Sequence, residues 1–355
     1  MRTSLGERLL DLAVSGFLWG IRILIVSAIV IGTIATIRAG KYTGEQWTDF
    51  IIFGISQGSI YALIALGYTM VYGILRMINF AHGDIFMTGA FGAYFLATWL
   101  NDIGFIDGNP VLGLLIPIVF AMMVAASIAM LVERIAYRPL RGAPRLVPLI
   151  SAIGASFFLE YAFRGFFGPG VYAYPPIKAL EGEWVFFGYG ILKVQVVVAI
   201  AAFIMMAILY SIVMFTKVGK AMRAVSESKD TAALMGIDVN RIIVSTFAIG
   251  AAMAGAAGVL FALVYRQIDF FMGFTPGIKA FTSAVLGGIG NIPGAMVGGL
   301  VLGIFESVGP SLFLEGLGIT RAYQLKDAIA YTMLVMILLF RPQGILGERL
   351  SKTKA

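Results

Sequence analysis

An all-α, polytopic bundle of about nine or ten membrane segments is the fold class this sequence predicts, and three observations predict it. Hydrophobic residues make up 59% of the chain and charged residues only 13%, about half the charged share of an ordinary soluble domain. Apolar runs close to the ~20 residues that a spanning helix needs recur along nearly all of the 355 residues. The basic residues behind the net charge of +7 gather at the ends of those runs, which is the pattern of membrane orientation and not of a nucleic-acid-binding face. Many of the 43 glycines lie inside apolar runs, where small residues let helix backbones approach closely in lipid. The chain has no cysteine, so disulfides and thiol chemistry are excluded.

In chain order, apolar segments are expected at about 17–37, 50–75, 80–99, 111–132, 147–167, 194–215, 242–264 and 325–340, with a glycine-rich pair at about 278–290 and 294–309. Two basic loops set the orientation. One carries Arg134, Arg138, Arg141 and Arg145, the other Lys217, Lys220, Arg223, Lys229 and Arg241, and both are expected in the cytoplasm. The two crossings between them put Gly168 to Lys193 outside. Counting backward places Asn101 to Pro110 outside, Leu75 to Asp84 toward the cytoplasm, Arg38 to Asp49 outside, and the N-terminus, with Arg2 and Arg8, inside. Counting forward, residues 265–277 fall outside, and the glycine-rich pair enters and returns, as a full span or a re-entrant hairpin. The last segment then delivers Arg341, Arg349, Lys352 and Lys354 to the cytoplasm. The chain divides into an extension with one apolar helix (1–45), a membrane domain (46–347) and a basic tail (348–355). A basic start followed by an apolar run also describes a secretory signal. Here the run is long, Arg22 interrupts it and no small-residue cleavage site follows, so a retained helix is expected.

Enzymatic signatures are missing. No G-x-x-x-x-G-K-[ST] phosphate loop occurs, so the chain is not expected to hydrolyse ATP or to hold a cofactor of its own. His82 is the only histidine, which excludes a two-histidine zinc site, and no catalytic residue or metal ligand is assigned. Three stretches carry chemistry of another kind. Between Gly58 and Phe95 a polar break with Asn79, His82, Gly83 and Asp84 joins two apolar segments, and Gln57, Tyr61, Tyr68 and Tyr72 share one helical arc before it. That face, with Asn79, His82 and Asn291 as further candidates, either lines a path or bonds neighbouring helices within the bundle. His82 reads first as a turn-fixing side chain. Between Phe281 and Val308, Gly287, Gly288, Gly290, Asn291, Pro293 and Gly294 interrupt a helix. They form either a tight interhelical turn or a break that accommodates motion. Glu160 and Arg164 are spaced for a helical ion pair, and Glu306 is left without an evident partner. The third stretch, Thr216 to Ile242, sets Ala221, Val225, Ala232, Ala233 and Met235 among charges as a short surface helix would, with a face to offer a soluble partner.

"GYTMVYGILRMINFAHGD", "RAVSESKDTAALMGID", "AVLGGIGNIPGAMVGG" and "LLFRPQGILG" follow one another along the chain. In order and spacing they resemble the permease subunits of branched-chain amino-acid ATP-binding-cassette importers, from about Ile52 to Gly347. The resemblance implies a multi-pass permease in a bacterial or archaeal plasma (inner) membrane. It would pair with a second, related permease, two cytoplasmic ATPase subunits that use ATP and Mg, and a solute-binding protein outside. In such importers a Glu-Ala-Ala-x-x-x-Gly pattern in a cytoplasmic loop seats in a groove of the ATPase. Asp230, Thr231, Ala232 and Gly236 match it with Asp for Glu and Thr for the first Ala, and Arg223 and Glu227 stand upstream as polar contacts. Permeases for urea and other amides resemble this family closely. The first 45 or so residues precede the similarity. Against this stand two rivals: an ATP-independent transporter, which would need intramembrane acids or a proton relay, and an intramembrane enzyme, for which His82 offers the only imidazole.

Overall fold

The computed structural model describes residues 5–144, 146–186 and 188–347; Arg2, Arg145, Arg349, Lys352, Lys354 and the tail 348–355 lie outside the described residues. The chain folds into α1 (Leu5–Ala39), α2 (Gly44–Leu75), α3 (His82–Asp102), α4 (Phe105–Gly108), α5 (Pro110–Val132), α6 (Leu146–Phe167), α7 (Lys193–Phe215), α8 (Lys217–Glu227), α9 (Lys229–Leu234), α10 (Val239–Tyr265), α11 (Phe274–Gly287), α12 (Ile292–Gly309) and α13 (Lys326–Phe340). Two small antiparallel ribbons complete it: β1 (Tyr172–Ala173) pairs with β4 (Gln267–Ile268), and β2 (Glu183–Phe186) with β3 (Tyr189–Leu192). Among the described residues, eight helical spans are long and apolar enough to cross a membrane, and α3 and α11 are embedded with them.

Local chemistry sets the helix ends. Thr43 and Gln46 form a reciprocal capping box at the start of α2, Asp238 caps α10, and Pro110 opens α5 where its missing N–H costs nothing. Helix α5 runs on through a π turn at Glu133–Tyr137 and a tighter turn at Arg138–Leu140. Helix α12 likewise continues through Pro310–Leu314.

Helix α2 is the axis of the bundle and packs against α12, α10, α11 and α7. In α2 and α10, 72% of the most apolar window is buried; in α1 it is 6%. Glycines at matching spacing make the central contact. A Cβ on Gly303 would sit 2.3 Å from the Gly58 Cα and 2.4 Å from the Gly54 carbonyl oxygen, and one on Gly299 would meet the Ala62 backbone at 2.5 Å. Gly54/Gly58 and Gly299/Gly303 thus form two small-xxx-small faces that let α2 and α12 touch backbone to backbone.

Two ends of the bundle are distinct. At one, Arg141 donates to Asn240 at 2.5 Å, and α8 lies against the end of α7, the start of α10 and α2. The segment after α13 folds onto the turn between α11 and α12 there as well: Ile345 N donates to the Leu286 carbonyl at 2.8 Å and Leu346 N to that of Gly287 at 2.9 Å. At the other end lie the two ribbons, the Lys178–Asp107 and Arg266–Glu181 ion pairs and the Lys41–Glu315 pair. The loops expected outside are therefore together in space, except that the last residues of the 265–277 stretch turn back into the bundle, where Gly273 and Gly277 pack on Gly83.

Candidate translocation core and coupling surface

The polar break after α2 does not stay at the membrane boundary, where the segment count placed Leu75 to Asp84. Arg76 takes a left-handed conformation (φ 56°), and the chain turns back into the bundle. His82 then rests in the notch left by Gly67, against Gly250 near the middle of α10, and its ring meets Tyr68 edge-on with centroids 4.9 Å apart. Asn79 is buried and its Oδ1 accepts from the Tyr137 hydroxyl at 2.7 Å. Helix α3 therefore starts at mid-depth and runs toward the ribbon end.

Helix α11 starts at the same level and runs the opposite way. At 14 residues it is about 21 Å long, short of the ~30 Å hydrocarbon core, so the glycine-rich pair is a half-span followed by a full crossing. The two helix starts meet. A Cβ on Gly83 would lie 2.6 Å from the Gly273 carbonyl oxygen and 3.0 Å from the Gly277 Cα. Interrupted backbone at this depth is tolerable only inside protein, and the absence of side chains on these glycines closes the joint. Asp84 sits in the first turn of α3, where its charge suits the positive helix ends. Ser156 donates to its Oδ2, its Oδ1 faces Gly273, and Glu160 of α6 stands beside it. The spacing of Glu160 and Arg164 predicted an ion pair; instead Glu160 is buried toward Asp84 and Arg164 lies over the Phe270 ring at 5.4 Å. The burial of Glu160 on the α3 side of α6 outweighs a surface pairing.

Gln57 and Tyr61 belong to a separate polar group. Gln57 Nε2 donates to the Tyr61 hydroxyl at 2.5 Å, and the Tyr61 ring lies 5.7 Å from Lys279 Nζ. Lys279 is 3% exposed and pairs with Glu306 (2% exposed) at 2.5 Å and with Asp327 at 2.6 Å. One lysine thus ties α11, α12 and α13 together, and Glu306, unpaired on sequence grounds, has its partner. Lys279 went unnoticed in the sequence because its two carboxylates lie on other helices. Tyr72 is only half-buried and joins neither group.

The glycine-rich stretch forms a tight turn. Gly288 (φ 109°) and Gly290 (φ 98°) need left-handed backbone, Asn291 caps α12 by accepting from Gly294 N at 3.0 Å, and Pro293 stands in the first turn. Gly287 and Gly294 are packed against each other. The Asn291 amide also donates to the Leu346 carbonyl at 2.7 Å. Asn291 is therefore a cap and a clasp at the α8 end, away from Tyr61 and His82.

The polar stretch 216–242 forms two helices where the apolar spacing predicted one. Ser228 breaks them and caps α9 through Thr231 N at 3.2 Å, its hydroxyl also donating to Thr231 Oγ1 at 2.9 Å. Met222, Val225 and Ala232 turn inward, whereas Ala233, Leu234 (88% exposed) and Met235 (78% exposed) turn out. Gly236 (φ 82°) ends α9 in a left-handed turn closed by Ile237 N to the Ala232 carbonyl at 3.1 Å. Arg223 turns back to the Val213 carbonyl at the end of α7. Asp230 and Thr231 are exposed on the outer side, as is Glu227, which has contacts of its own. Burial, with the Arg141 guanidinium beside it, holds the Lys229 ammonium below the ordinary lysine range. A pocket lies between α8 and the glycine turn, lined by Met222, Arg223, Ser226, Thr246 and Gly290 among others.

The sequence profile described as the branched-chain amino acid transport system / permease component matches residues 50–339. The chain belongs to this permease family. It is 44% identical over 303 residues to the high-affinity branched-chain amino acid transport system permease protein BraD of Pseudomonas aeruginosa, covering 84% of this chain and 95% of that one. To the corresponding protein LivH of Escherichia coli it is 42% identical over 314 residues, 86% and 97% of the two chains. The probable branched-chain amino acid transport permease protein LivH of Methanocaldococcus jannaschii is 30% identical, over 84% and 92%. Helix α1 precedes the matched region, and the permease core begins inside α2. Of the residues singled out in the sequence, the fold unites Tyr68, His82 and Gly83 with Gly277, and Gln57 and Tyr61 with Lys279. It keeps Asn291, Gly287, Gly288, Gly290, Pro293 and Gly294 in a separate turn.

Proposed function

We propose that this chain is the membrane-spanning subunit of an ATP-binding-cassette importer that moves branched-chain amino acids inward by alternating access. The observation that carries the reading is the match along α2–α13 to permeases whose names state that substrate, joined to an α9 tip whose apolar side chains none of the described residues covers. The α8 end faces the cytoplasm, since the basic loops gather there, so both ends of the described chain face it too. One of the two ATPase subunits docks on Asp230, Thr231, Leu234 and Met235 of this chain, and the pair supply the ATP- and Mg-dependent step, for which this sequence has no phosphate loop. Arg223 anchors α8 to α7, so a push on α9 reaches α7 and the pocket beneath Gly290. A second, related permease and an external solute-binding protein complete the assembly in a bacterial or archaeal plasma membrane. The mid-depth joint of Gly83, Gly273 and Gly277 is where the core opens, because helices that meet end to end there part without breaking an internal hydrogen-bond ladder.

The test is uptake of labelled leucine into proteoliposomes that hold the chain with its cognate partner permease and ATPases, with binding protein supplied. ATP-dependent, binding-protein-stimulated uptake is expected, with urea not carried. Uptake by the lone chain on an ion gradient overturns the proposal.

A further inference from the structure

Helix α1 packs most closely at its C-terminal end. A Cβ on Gly32 would lie 2.1 Å from the Phe313 carbonyl oxygen, one on Gly316 would lie 1.9 Å from the Gly32 carbonyl oxygen, and Thr36 donates to the Ser311 carbonyl at 3.4 Å. Toward the α8 end it parts from α13, leaving a cleft of about 270 Å³ lined by Val14, Ser15, Leu18, Trp19, Arg22 and Phe340.

Arg22 is the unusual member. Its guanidinium carbon lies 4.6 Å from the Trp19 ring centre and 4.3 Å from that of Phe340, and no carboxylate among the described residues pairs with it. A cation in a spanning helix needs a partner or a route to the interface. Two measures put Arg22 at the edge of the hydrocarbon. Phe340 is the last residue of α13, followed directly by Arg341. Counting down α1 from Ala39, Arg22 lies about 25 Å along the helix at ~1.5 Å per residue, most of the ~30 Å core, and an arginine side chain reaches the remainder. The two aromatic faces hold the guanidinium by cation–π contact and leave its N–H edge free. That edge matches a phosphodiester in bidentate geometry, at the depth where phosphodiesters lie.

We propose that the cleft between α1 and α13 binds one anionic phospholipid of the α8-side leaflet. Its headgroup fills the cleft, with the phosphodiester meeting Arg22 near the Ser15 hydroxyl, and its acyl chains leave past Phe340 toward the membrane interior. A basic pocket between spanning helices on the side that meets anionic lipid is the kind of place such headgroups bind.

The test is native mass spectrometry of the full chain, exchanged from detergent into mixed micelles with phosphatidylglycerol, phosphatidylcholine or inorganic phosphate alone. One phosphatidylglycerol is expected to stay bound, with phosphatidylcholine weaker and inorganic phosphate not competing. Arg22→Gln is expected to weaken that binding about tenfold, the loss of one charge-assisted contact. Ser15→Leu keeps the charge and fills the cleft, and the same loss is expected. Equal phosphatidylglycerol retention by wild type, Arg22→Gln and Ser15→Leu overturns the proposal. So does displacement of the lipid when the partner permease co-purifies, which would make the cleft a subunit contact. None of these readouts depends on transport.

Discussion

The interior around Lys279 and the tip at α9 answer burial in opposite ways. Inside, each charged or polar group of the Gln57–Tyr61–Lys279–Glu306–Asp327 set meets another group of the same chain, because an unpaired charge in lipid is costly. At the tip, apolar side chains are left bare beside the exposed Asp230 and Thr231: Leu234 ends the six-residue α9 and Met235 follows it, both in the open, although burying them would stabilise the chain. The interior set closes its ion pairs within the chain, whereas the tip leaves apolar side chains that none of the described residues covers. In the proposed importer this division suits a core that moves as a unit and a tip that receives force from a partner.

Substituting Lys279 breaks the comparison most severely. Lys279→Met leaves the Glu306 carboxylate buried and unpaired, at a cost of about 3–5 kcal/mol. The detergent-purified protein is expected to lose its monodisperse peak on gel filtration, and Lys279→Met with Glu306→Leu is expected to restore much of it. Gly303→Ala comes next: its Cβ would press on backbone at both Gly58 and Gly54, costing about 1–3 kcal/mol. A drop in thermal midpoint is expected, with none for Gly165→Ala, which faces open space. Arg223→Ala removes a donor at the end of α7 and costs about 1 kcal/mol, again read from the thermal midpoint. The smallest effect on stability sharpens the contrast. Leu234→Asp with Met235→Asp is expected within about 0.5 kcal/mol of wild type, while ATP-driven leucine uptake is lost. A loss of stability as large as that of Gly303→Ala would show that the tip packs within the chain.

The spans were legible because apolar length reports them directly: the segment expected at 194–215 is Lys193–Phe215, and that at 111–132 is Pro110–Val132. Contacts between distant residues were not. The spacing of Glu160 and Arg164 is right for a pair along one helix, yet Glu160 is drawn to Asp84 by the packing of α6 on α3. The break at 79–84 showed as polar residues in an apolar run. That it meets Gly273 and Gly277, some 190 residues later, left no mark but glycine, which has other uses. In the 216–242 stretch the small apolar residues indicated a surface helix, but Ser228 as a cap divides it and decides which side chains turn out.

The central claim, that force enters at the α9 tip, is tested most directly by cross-linking, since the chain has no cysteine of its own. Met235→Cys and, at the ribbon end, Ile103→Cys (both exposed) would each be joined by a short thiol-to-amine reagent in membranes that hold the cognate ATPase. The account predicts that Met235→Cys captures the ATPase subunit and Ile103→Cys does not; capture from Ile103→Cys alone would contradict it.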